Sequence, residues 1–217
     1  MEHTTAFPSI NILLTDKPVK PVQLIYCPVT LNPLTPDTRI TIIQFDPATK
    51  QFAGKINATA YGPILFDNKE MVEVHRSCQD TSGSHTKEIH WLGVFDNKIH
   101  LRMRDIPDEY SASFKERIDL VDMSFPVCPD VSQQLSRTVC YFQGDYRAEE
   151  HFTDTFSGVF DLQINDTQFD CLKMTTVREH TPDRSVETFI DTNTGRVVYT
   201  QTLTGNKVVS FQLIIHY

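Results

Sequence analysis

A chain of 217 residues can bury a core as one large domain or two small ones. With 40% hydrophobic and 22% charged residues it has ordinary globular composition, which excludes a largely disordered polymer. The net charge of −8 and the lack of any Lys/Arg run argue against a nucleic-acid partner, because an acidic surface repels phosphate backbones. No segment reaches the roughly 18 consecutive apolar residues of a membrane-spanning helix.

The first residues, Met1-Glu-His-Thr-Thr-Ala-Phe7, lack the basic region and long apolar core of a signal peptide. The five cysteines, Cys27, Cys78, Cys128, Cys140 and Cys171, are odd in number and widely spaced, and no Cys-x-x-Cys occurs. They read as buried free thiols in a reducing compartment. Both features point to the cytoplasm, with a secreted chain that has lost its leader as the alternative.

Fourteen Phe and seven Tyr, with many Val, Ile and Thr, lean the chain toward sheet. Prolines punctuate residues 1–36, where Val22–Cys27 is the best strand. Arg39–Phe45 is apolar on both alternations and predicts a strand buried on both faces. Asp46-Pro-Ala-Thr49 is a turn, and a strand follows near Gln51. Further strands are predicted at Lys69–Arg76, Lys87–Phe95 and Lys98–Arg104. A polar loop (Gln79–Ser84) separates the first two, and a tight Asp96-Asn97 turn separates the others.

Residues 105–139 change character. Phe114, Ile118 and Val121 stand four and three apart, and Ser113 with Glu116 has capping-box spacing. A helix is predicted over 111–122, with a further helical turn at 130–135. Strands resume at Thr138–Gln143, Thr155–Ile164, Phe169–Val177, Arg184–Ile190, Arg196–Leu203 and Lys207–His216. Their separators are Asn165-Asp166, Pro182-Asp183, Thr192–Gly195 and Gly205-Asn206. The hairpin at Ile89–Leu101 loosely echoes that at Val186–Val198, as two related β units would.

The histidines form the one cluster with a shape. His75, Cys78, His85, His90 and His100 lie within 26 positions, and imidazole and thiolate are good zinc ligands. Whether they share a face depends on the 87–104 hairpin. With a two-residue turn, Phe95 pairs with Lys98 and His90 with Met103, which sets His100 and Arg102 beside Trp91. A register slipped by one sets His90 against Arg104 and Trp91 against Met103. The slipped register separates apolar from polar better and is preferred. His75, His90 and His100 are then candidate ligands for a metal such as zinc, or acid/base groups, with Glu73 or Glu88 beside them. The plainer reading is a polar sheet surface facing solvent. Trp91, His100 and Arg102 are the candidate ligand-binding residues, against the plainer reading of Trp91 as core.

Asp145, Glu149, Glu150 and Asp154, with His151 among them, read as a solvated loop rather than a glycosidase pair or a calcium site. No Gly-x-Ser-x-Gly, Walker, Gly-x-Gly-x-x-Gly or His-Glu-x-x-His motif is present. The expected architecture is mainly antiparallel β, sandwich or half-barrel units, with one short helical insertion. Its parts are a β-rich unit at 1–105, a helical or irregular connection at 106–137 and a β-rich unit at 138–217, or else one domain throughout. The expected function is a non-catalytic binding or protein-interaction module, with an unknown protein or a small apolar ligand as partner. The alternatives are a metal-dependent hydrolase on the His/Glu face and a structural homo-oligomer, for instance a homodimer, paired through the apolar run Val208–Ile215.

Overall fold

The structure, a computed structural model, describes residues 12–14, 31, 34–83, 85–106, 119–126, 129, 133–143 and 146–217. Thirteen strands account for most of them. They are β1 (Ile12–Leu14), β2 (Arg39–Phe45), β3 (Phe52–Phe66), β4 (Lys69–Asp80), β5 (His85–Phe95), β6 (Lys98–Ile106) and β7 (Asp119–Pro126). There follow β8 (Gln134–Gln143), β9 (Tyr146–Ile164), β10 (Thr167–Arg178), β11 (Thr181–Asp191), β12 (Val197–Thr204) and β13 (Lys207–His216).

From β2 to β13 each strand pairs antiparallel with the strand before and after it, and β13 pairs back onto β2. Twelve strands thus make a ring of pairings, an up-and-down antiparallel barrel. Closure gives each strand two partners, which an all-β chain needs because its edges are otherwise open to other chains. β9 is long enough to serve two neighbours on one side: β8 along its first half (Thr155↔Gln134) and β1 along its second (Ile164↔Ile12). The hairpins turn on residues that tolerate left-handed backbone. Asp67-Asn68 (φ 49° and 60°) joins β3 to β4, and Asp96-Asn97 (φ 51° and 57°) joins β5 to β6. In β3 the ladder to β4 skips from Tyr61 to Ile64 around the cis Gly62-Pro63 bond, which lets a proline sit inside a sheet.

The antiparallel β architecture agrees with the sequence, and Arg39–Phe45 and Lys207–His216 are strands to the residue. Other expectations change. The stretch predicted as helix shows no helix where it is described: Asp119–Asp122 opens β7, Gln133 is irregular, and Gln134 and Leu135 open β8. The rest of that helix, and the strand at Val22–Cys27, lie outside the described residues. β4 runs on to Asp80, so the loop predicted at Gln79–Ser84 begins two residues late. Pro182-Asp183 lies in β11, and the chain turns at Glu179-His180 instead. Val208–Ile215 is no free edge, because β13 is paired on both sides.

Side chains alternate across a sheet. Ile40, Ile42, Val74, Leu92, Leu101, Ile190 and Ile214 all border one central cavity and so mark the inner face. Two buried inner clusters flank it: Phe156, Leu172, Met174 and Ile190 on one wall, Ala58, Ala60 and Val74 on the other. The opposite face of β9–β13 and β2 is buried as well, around Phe45, Leu162, Cys171, Phe189, Tyr199 and Phe211. Thr188, Phe189, Ile190 and Asp191 are buried in succession, so β11 is covered on both faces here. Phe45 and Phe211 stack across the β2–β13 junction at 5.3 Å. Phe189, with no exposed surface, is central to this layer. Phe189→Ala is expected to cost about 3–5 kcal/mol in urea denaturation. Leu65→Ala, at a site 79% exposed, should change stability by less than about 0.5 kcal/mol.

Candidate functional site

The lumen of the barrel is a cavity of about 670 Å³. Its wall comes from β2, β4–β7 and β10–β13 and is mostly aliphatic: Ile40, Ile42, Val74, Leu92, Ile99, Leu101, Ile190, Val197 and Ile214, with Met103, Met174 and Phe125. Leu31 and Leu34 border it from outside the strands. The alternation that keeps these residues on one face also carries a few polar groups inward. Arg76 follows Val74 on β4, His90 precedes Leu92 on β5, and His216 follows Ile214 on β13.

These polar groups lie toward one end of the lumen. Across the ladders Arg76 is opposite Ala58, Ala58 opposite Ile40, and Ile40 opposite His216. One rung of the sheet therefore carries Arg76 and His216, three strand spacings or about 14 Å apart along the wall. The Arg76 Nη1 lies 3.0 Å from the Glu88 carboxylate and 3.1 Å from His90 Nε2, and His90 Nε2 lies 3.0 Å from the same Glu88 oxygen. With its proton on Nε2, His90 donates to Glu88; without it, Nε2 accepts from Arg76. The hydrogen bond from His90 holds the Glu88 carboxyl below its ordinary range, against burial and with help from the Arg76 charge. His216 donates from Nε2 to the Val197 carbonyl at 2.9 Å. Its Nδ1 is buried and has no partner among the described residues. Burial pushes the pKa of this imidazole down, and the nearby Arg196 charge adds to the shift.

A second polar group lies between β8 and β9. Arg137 on β8 forms an ion pair with Asp154 on β9 and stacks on Phe125 and Phe152 at 4.6 and 4.8 Å. The Thr176 hydroxyl donates to Asp154 at 2.6 Å. Asp154 is 1% exposed, which corrects the reading of Glu149, Glu150 and Asp154 as a solvated loop: they belong to β9. Asp145 lies outside the described residues. A further cavity of about 740 Å³ opens beside the β9–β10 and β11–β12 turns and shares Arg196, Ile214 and His216 with the lumen. Its lining carries Asn165, Asp191, Asn193 and Thr194, which makes it more polar than the lumen.

The β5–β6 hairpin has the two-residue register: Phe95 pairs with Lys98, His90 with Met103 and Trp91 with Arg102. The preferred slipped register is therefore corrected, and the reason is local. Asp96 and Asn97 both take left-handed backbone, so the turn closes on two residues. The shift places His90 inside the barrel and His75 and His100 outside, so the three histidines do not share a face. Among the described residues no three His, Cys, Asp or Glu side chains converge as metal ligands.

Trp91, His100 and Arg102 do share the outer face, where the chain's own residues cover them. Trp91, 6% exposed, stacks on Phe66 at 4.4 Å and donates to Glu73 at 3.0 Å. The other Glu73 oxygen meets His75 at 2.6 Å. Arg102 lies over the far part of the same aromatic layer, 5.5 Å from Phe66, and pairs with Asp67. His100 packs on Phe95 at 5.3 Å. That ring reaches over Gly93, where a Cβ would stand 2.4 Å from Phe95. Sequence reasoning missed Arg76, Arg196 and His216. A cation at Arg76, two residues beyond Val74, was the available signal. It was obscured because Glu73 and His75 put polar groups on the other alternation too.

No family model and no curated protein matches the chain. Two solved structures resemble it. One is a candidate exported protein with a YmcC-like fold from Bacteroides fragilis, 10% identical, covering 87% of this chain and 98% of its own, with a TM-score of 0.44. The other is a candidate lipoprotein from Parabacteroides distasonis, 14% identical, covering 87% of this chain and 97% of its own, with a TM-score of 0.43. Those names describe those proteins, and at this level of likeness they carry no argument about this one.

The two depressed groups predict a stepped loss of stability in acid. Each binds its proton more weakly in the folded chain, so each contributes stability above its ordinary pKa that is lost as pH falls toward its folded value. His216 acts from about pH 6.5 downward and Glu88 from about pH 4.5 downward. Urea midpoints measured across that range should show His216→Gln flattening the upper part and Glu88→Gln the lower.

Proposed function

We propose that the protein is a non-catalytic binding protein that holds a small apolar molecule in its lumen. The observation that carries this reading is the aliphatic cavity of about 670 Å³ walled by opposite sides of the ring. Protein interiors pack densely, with few voids larger than a water molecule. A pocket of this size has room for an occupant, and its aliphatic stretches offer water few hydrogen-bond partners. Its size falls within the range of small-molecule sites, which are apolar with a few placed polar groups.

A neutral probe that brightens in apolar surroundings, N-phenylnaphthylamine, tests the reading. One saturable site is expected. Leu101→Trp, which places an indole in the lumen, should weaken binding at least about tenfold, or 1.4 kcal/mol. Leu65→Trp, on an exposed position, should leave it unchanged. Equal binding by a folded Leu101→Trp, or none by the wild type, overturns the proposal.

A further inference from the structure

The charge in the lumen narrows the class of ligand. Every ionisable residue described in its lining is a base: Arg76, His90, Arg196 and His216. The chain as a whole has 28 acidic residues against 20 Lys and Arg, so this bias runs against its composition. The bases are also gathered. Arg76 and His216 share one rung of the sheet, and Arg196 immediately precedes Val197, whose carbonyl accepts from His216. The rest of the lining is mainly aliphatic, with Thr188, Thr200 and Gln212 in line across β11–β13.

Among the described residues neutralisation at this end is incomplete: Glu88 balances Arg76, while Arg196 makes no ion pair. With neutral imidazoles, Arg76, Arg196 and Glu88 together carry one net positive charge. Both contacts of Arg76 with described residues fall on Nη1. The rest of its guanidinium fork is uncommitted among the described residues, and that planar edge matches two oxygens of a carboxylate or a phosphate. A neutral apolar ligand would leave this charge unbalanced in a desolvated setting, and a cationic one would be repelled.

We propose that the lumen binds a single-chain amphiphile with an anionic head, a carboxylate or a phosphate monoester, its tail among the aliphatic residues and its head between Arg76 and Arg196. The proposal rests on the reading of the lumen as a ligand cavity and adds the head-group chemistry to it.

The test compares dodecanoate, dodecyl phosphate, dodecanol and dodecyltrimethylammonium as competitors of N-phenylnaphthylamine on the full chain, all below their micelle concentrations. At least one anion should compete about tenfold or more better than the alcohol, a difference of about 1.4 kcal/mol, and the cation should be the poorest. Preference for one anion over the other identifies the head group. In Arg76→Gln the advantage of the anion over the alcohol should fall below about threefold. Arg76→Lys should keep more of it, and the circular dichroism and urea midpoints of both variants report whether the barrel is intact. Raised salt should shrink the advantage. Equal competition by dodecanol and both anions overturns the head-group inference and leaves the apolar cavity standing. An advantage that survives both Arg76→Gln and Arg196→Gln overturns the placement of the head. Failure of the neutral probe itself removes the cavity reading on which the inference rests.

Discussion

The pairing of β13 with β2 is the constraint on which the rest depends. Six residue pairs, from Phe211↔Phe45 to His216↔Ile40, join the last described strand to the first strand of the ring. Without them the sheet would have two long edges and the lumen an open side. The junction works on both faces. On one, Phe45 stacks on Phe211; on the other, Ile40, Ile42 and Ile214 complete the cavity wall. The same ladder sets His216 in line with Arg76, so the closure that seals the sheet also assembles the charged end of the lumen.

Burial is unevenly distributed around the ring. β9–β12 have apolar layers on both faces, whereas the outer face of β4–β6 is closed by a thin aromatic cover of Phe66, Trp91 and Phe95. Polar groups inside the barrel follow a consistent rule. Where a charge is deepest, as at Asp154, a guanidinium and a hydroxyl satisfy it completely. Where the lumen carries Arg76 and Arg196, compensation among the described residues is partial. That contrast separates the part of the interior that holds the fold together from the part that faces the cavity.

Much of the fold was legible because strand and turn signals are local. Arg39–Phe45 was readable from apolar residues on both alternations, and the position of the Asp96-Asn97 turn from its residue types. The region after 105 misled because Phe114, Ile118 and Val121 have helical spacing, while the described part, from Asp119, is held as strand by ladders to β6 and β8 that no local pattern reveals. The candidate site was lost to a single residue of register. Judging by separation of polar from apolar favoured the slipped hairpin, but the true sheet buries His90 and Arg76 inside and Trp91 outside under Phe66, so both faces are mixed. The lumen was hidden for a deeper reason: its wall draws one to three residues from each of nine strands, and only ring closure makes them neighbours. The two hairpins with echoing sequences, β5–β6 and β11–β12, stand six strands apart, on opposite sides of that ring.

β9 is a lap joint. One side of this strand is divided between two neighbours, with ten residue pairs to β8 and only three to β1. The β1 segment is thus the least anchored ladder among the described strands, and it covers the stretch where Leu162 and Ile164 belong to the buried outer layer. Lifting β1 would leave the twelve-strand ring intact and bare a short row of peptide groups beside an apolar surface. The closure of the barrel therefore does not depend on this short ladder, which only laps the ring from outside.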